Sequence, residues 1–94
     1  MNKKQAIYFV NTLGSKHQAL QPALRQFVRG EKLTNEQLEA IADGDSRLTA
    51  VVPILRAINF GTANNETIVA INELDSFGSP LKPLLLALVA GLKD

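Results

Sequence analysis

Apolar residues recur along this chain at intervals of three and four, not two. Ile7, Val10 and Leu13 form one such series, and Ile68, Ile71 and Leu74 another. Spacing of this kind lays one stripe along a helix, whereas strands alternate. A longer period lies beneath it. Three segments, "PALRQFVRG" from Pro22, "PILRAINFG" from Pro53 and "PLLLALVAG" from Pro83, each carry Leu two places on, an apolar residue five places on and Gly eight places on. The register extends upstream without a gap. Ile7, Leu38 and Ile68 stand fifteen before the prolines, Val10, Ile41 and Ile71 twelve before, Ser15, Ser46 and Ser76 seven before, and Leu20, Val51 and Leu81 two before. One domain over residues 1–94 is expected, in three units of about 1–31, 32–62 and 63–94, because self-similarity at a fixed period marks a repeat architecture.

Each unit reads as two short helices. The first would run near 3–13, 34–43 and 65–74, with Thr34 (Gln37 three later) and Asn64 or Asn65 as N-caps in the second and third units. The second would run near 17–29, 48–60 and 79–90, after a turn that holds the aligned serine. Proline is harmless in a first helical turn, where the N–H has no internal partner. Caps at Gln18, Thr49 and Ser79 would put Pro22, Pro53 and Pro83 in that turn. Gly30, Gly61 and Gly91 suit the left-handed residue that ends a helix. "AVVPIL" and "ETIVAI" are β-branched, but each falls in a column that is helical in the sister units. The expected class is all-α, six short helices in three stacked hairpins.

In "NNETIVAINELDSFGSPLKPLLLALVAGLKD", residues 64–94, a helix, a Gly-containing turn, a Pro, an apolar helix and a closing "LKD" follow one another. This order resembles the HEAT-like α-solenoid repeats of about 30 residues found in phycobilin lyase subunits, and the other two units join by alignment. The resemblance implies a HEAT-like α-solenoid or a compact α-bundle that presents a face to another protein. The Ala-rich first helix usual in such repeats is thin here, and its basic residue has no evident counterpart. Some enzymes of this repeat class bind iron through His-Glu pairs. The single histidine, His17, is followed by Gln18, so neither that activity nor bilin binding carries over.

Composition narrows the chemistry. Of 94 residues, 46% are hydrophobic and 20% charged, with a net charge of +1 and no cysteine. So small a charge gives no field that argues for nucleic acid or a membrane surface. The absence of cysteine removes disulfides, thiol nucleophiles and thiolate zinc sites. The N-terminal apolar segment is too short for a signal peptide, and prolines and Lys82 interrupt the longest near-uncharged run. A cytoplasmic protein without cofactor or metal is expected. Glu36, Glu39, Glu66 and Glu73 read as solvated helix-surface carboxylates. No nucleophile stands beside a base, and no glycine-rich phosphate loop appears, so an enzyme is not expected.

The second helices also predict an outer face, three, four and seven residues after each proline. It reads Arg25, Gln26 and Arg29, then Arg56, Ala57 and Phe60, then Leu86, Ala87 and Ala90, passing from basic to mixed to apolar. Such positions align across stacked repeats. Uncharged positions outside the stripe imply that the third of these helices is covered, by its own chain, by a second copy or by another protein. Arg25, Arg29, Arg56, Phe60, Leu86 and Ala90 are the candidate partner-binding residues. Arg25 and Arg56 share a column and could face an acidic partner, although two surface arginines are more often solvated or paired with Glu31 or Asp45. Phe60 is either an interface anchor or packs under the following loop. The function expected is a non-enzymatic interaction module (adaptor, inhibitor or assembly part) that binds a protein or self-associates through the C-terminal unit. The alternative is a helix-turn-helix DNA binder over residues 33–58, with Arg47 opening the second helix. Few long polar side chains there could reach bases.

Overall fold

Three helices open on the same reciprocal cap. In the computed structural model, which describes residues 1–44 and 46–92 and Lys16 by its backbone alone, the Gln5 N–H donates to Asn2 Oδ1 at 2.8 Å and the Asn2 N–H to Gln5 Oε1 at 3.0 Å. Thr34 pairs in this way with Gln37, and Asn64 with Thr67. Each box satisfies two donors that a first turn leaves without partners. They start α1 (Lys3–Asn11), α3 (Asn35–Gly44) and α5 (Asn65–Asn72). Thr34 and Asn64 are the caps expected from sequence; Asn2 extends the pattern to the first helix.

The second helix of each pair is not continuous. Ser15–Leu20, Ser46–Leu48 and Ser79–Leu81 form 3-10 turns, and α2 (Gln21–Val28), α4 (Val52–Phe60) and α6 (Lys82–Ala90) follow. Pro22, Pro53 and Pro83 are each the second residue of their helix. Gln18, Thr49 and Ser79 are not the caps. The N-cap positions are Leu20, Val51 and Leu81, none with a side-chain cap bond. The turn explains this. The N–H groups of Val51 and Leu81 reach the carbonyls of Leu48 and Gly78 at 2.9 Å, which continues the turn into the helix, and proline at the second position has no N–H for a cap to satisfy.

At the far end, α2 and α4 close alike. The Glu31 N–H reaches the Gln26 carbonyl and the Thr62 N–H the Ala57 carbonyl, both at 2.9 Å, across glycines with φ of 80° at Gly30 and 70° at Gly61. This is the Schellman arrangement, whose left-handed residue penalises any Cβ.

No strand occurs among the described residues. α1 packs on α2, α3 on α4, α5 on α6, and α4 on α5. The first and third hairpins also meet, at His17 and Phe77 and around a cavity that Lys3 shares with Leu88 and Leu92. The extents of 33 × 28 × 26 Å are nearly equal, and the radius of gyration of 11.9 Å matches the roughly 12 Å expected of a globular chain this long.

The core is built from the predicted columns. Leu20, Val51 and Leu81, two before the prolines, are buried, as are Leu24, Leu55 and Leu85, two after. Ala23, Ile54 and Leu84 are buried as well, so each second helix buries a broader face than one stripe. Among the first helices, α3 buries Leu38 and Ile41 as expected, whereas α5 and α1 depart. Ile68, assigned to the stripe, is 36% exposed, while α5 buries Thr67 and Ile71. α1 likewise buries Ala6 and Val10, leaving Ile7 half-buried. Both helices set an i, i+4 pair against the core, a rotation of one residue from the i, i+3 reading.

One buried polar group ties the first two hairpins together. Asn59 on α4 accepts from the Leu33 N–H at 2.7 Å and donates to the Leu33 carbonyl at 2.9 Å. It supplies both backbone groups of a buried residue in the α2–α3 connection. We expect Asn59→Ala to cost about 2–4 kcal/mol, since it orphans two buried backbone groups at once. Urea unfolding monitored by circular dichroism would read the loss.

Candidate functional site

The turns that precede the second helices converge on Phe77. His17 is buried, and its Nε2 lies 2.7 Å from the Phe77 carbonyl, so the ring donates from Nε2. The His17 and Phe77 rings stand 4.7 Å apart between centroids, and the Arg47 guanidinium lies 4.4 Å from the Phe77 centroid. His17 is thus a structural contact between the first and third hairpins. Asp75 shapes the segment that presents Phe77, its Oδ1 accepting from the N–H groups of Phe77 and Gly78 at 3.1 Å each.

The described residues offer no cluster of three His, Cys, Asp or Glu side chains able to hold a metal ion. Two shallow grooves run between successive hairpins. One, of about 260 Å³, has Pro22, Ala23, Leu33, Gln37 and Ala40 in its walls. The other, of about 240 Å³, has Pro53, Ile54, Asn64, Thr67 and Ala70. Both fall below the roughly 300 Å³ at which small-molecule sites begin, and neither gathers convergent charged groups; the cavity beside Lys3 is larger, about 320 Å³, and has Glu31 and Lys32 in its walls. No helix among the described residues is long and apolar enough to cross a membrane.

The candidate partner-binding residues have different fates. Arg25 is half-buried, and its Nε and Nη2 both donate to Asn11 Oδ1, at 3.1 and 3.0 Å, closing α2 onto α1. Its expected partner Glu31 lies instead 4.0 Å from Arg29, at the exposed end of α2. Asp45, the other expected partner, lies outside the described residues. Arg56 is half-buried on α4. Leu86 is half-buried against the core together with Leu88 and Val89, and Ala90 is exposed. The apolar side chains of α6 are therefore covered largely by their own chain. Phe60, at the end of α4, is 52% exposed and is not sealed beneath the loop that follows.

Surface apolar residues lie mostly elsewhere. Tyr8 on α1 is 74% exposed, and Val69 on α5 is 52% exposed beside Ile68. Phe60 and Val69 lie on helices that pack together. Neither Tyr8 nor Val69 was among the candidates, yet the column containing them held the signal. Both stand fourteen residues before their proline, as does Glu39, which the sequence reading had already placed in solvent. A position that carries glutamate in one unit faces outward in the others.

The bidentate Arg25–Asn11 contact predicts that Arg25→Lys loses about as much stability as Arg25→Ala, on the order of 1 kcal/mol, because one ammonium does not reproduce the planar fork. Thermal unfolding of the two variants checks this. Comparison of the chain with models of known protein families, with curated protein sequences and with solved structures gives no match.

Proposed function

We propose that this chain is a non-enzymatic helical interaction module, three hairpins of one HEAT-like kind whose uncovered apolar side chains receive a protein partner. The observation that carries the reading is the placement of Phe60 and Val69. Both are more than half exposed, and they lie on helices that pack together. Isolated exposed apolar residues are common on monomers, whereas contiguous apolar patches mark contact surfaces, and a partner that spans α4 and α5 would cover both side chains. Aromatic residues in particular dominate the energetics of such contacts. The contact surface centres on the end of α4 and on α5, and so includes the C-terminal unit. Leu86 contributes to packing more than to contact.

A DNA-reading helix has less behind it. α4 buries Val52, Ile54, Leu55 and Asn59, which leaves little of its surface for a groove, and Arg47 stacks on Phe77.

A photoreactive benzoyl-phenylalanine placed at Phe60, Val69 or Leu86 in producing cells tests the proposal. We expect covalent protein adducts from positions 60 and 69 and few from 86. A folded protein that forms adducts from neither 60 nor 69 would contradict it.

A further inference from the structure

The ends of the chain differ in charge as well as position. Residues 1–31 carry five basic side chains against Glu31 alone, whereas residues 63–94 carry four acidic against two basic. The surface of the first helices follows this division. On α1, Lys4 and Tyr8 stand four apart, hence on one helical face, and both are exposed. On α5, Val69 and Glu73 have the same spacing and are exposed too, with Glu66 one turn before Val69. The intervening helix α3 exposes Glu36, Glu39 and Asp43, an acidic stripe with no large apolar residue among those three. Among the described residues, α5 alone of the first helices combines negative charge with a large bare apolar side chain.

We propose that α5 of one molecule receives α1 of a second copy of this chain. Laid antiparallel, the two helices set Tyr8 over Val69 and bring Lys4 opposite Glu73, because both pairs are separated by four residues, or about 6 Å along a helix. The contact joins a ring to a branched aliphatic and closes one ion pair at its rim. Exposure of Tyr8 and Val69 within one molecule shows that α1 does not already cover α5 in the same chain. Complementary charge on two ends of a nearly neutral protein steers copies together and orients them. The inference rests on the reading of the chain as an interaction module and names the partner.

Two substitutions separate contact from folding. Lys4→Glu puts an acid in the first turn of α1, and Glu73→Lys puts a base at the C-cap of α5; both are the arrangements that helix dipoles favour. Neither should unfold its helix, which circular dichroism verifies. Sedimentation velocity across a concentration series then gives the association. The wild type should self-associate, and less so as salt rises from about 0.1 to about 1 M, where the screening length falls from about 10 to about 3 Å. Each single reversal should weaken association at least tenfold, and the double variant Lys4→Glu/Glu73→Lys should recover most of it. A wild type that stays monomeric, a Lys4→Glu variant that associates as the wild type does, or a double variant no tighter than the singles overturns the proposal. Monomeric wild type with foreign-protein adducts from position 69 would defeat this inference alone and leave the module reading standing.

Discussion

No described helix in this protein exceeds ten residues, and helices that short are marginal on their own in water. Every one therefore depends on apolar surface supplied by the others. The constraint is met by one shared core. Leu20, Leu24, Val51, Leu55, Leu81 and Leu85 occupy matching places around three prolines and form the centre of one core cluster. Burying a side chain of that size contributes about 1.5–3 kcal/mol, which no single hairpin could collect without its neighbours. The first and third hairpins meet at His17 and Phe77, and the body has nearly equal dimensions.

Polar groups then fix how the hairpins sit. Asn59 holds both backbone groups of Leu33, Arg25 clamps Asn11, and His17 reaches the Phe77 carbonyl. Asn59–Leu33 and His17–Phe77 are directed contacts between residues 26 and 60 apart in a core otherwise made of aliphatics, and Arg25–Asn11 joins consecutive helices at the surface. Nonpolar packing alone tolerates sliding and rotation, and buried polar partners that must be satisfied narrow the choice. Outside those contacts, Tyr8 on α1, Val69 on α5 and Phe60 at the end of α4 stand exposed.

The parts legible in the sequence were those that backbone chemistry dictates. Proline tolerates only the first turn of a helix, and glycine accepts a left-handed end, so Pro22, Pro53, Gly30 and Gly61 located helix ends through local rules. The core columns next to the prolines followed. What escaped depended on tertiary geometry. Thr67 rather than Ile68 faces inward because the rotation of α5 is set by its neighbours, and hydrophobicity alone favours the isoleucine. The 3-10 turns escaped because their i+3 bonds leave no distinctive residue pattern. Arg25 looked solvated, since nothing local shows that Asn11, fourteen residues away, stands opposite. The exposure of Tyr8 and Val69 was recoverable from Glu39, had each outward position been compared across units.

The central claim is that the three hairpins share one core and unfold as a unit. Native-state hydrogen exchange on Leu55→Ala tests it directly. Emptying one position in α4 should cost about 2–5 kcal/mol, and the account predicts that the slowest amides of α2 and α6 lose protection by the same free energy as those of α4. Loss confined to α4 and its partner α3, with α2 and α6 protected as before, would contradict it.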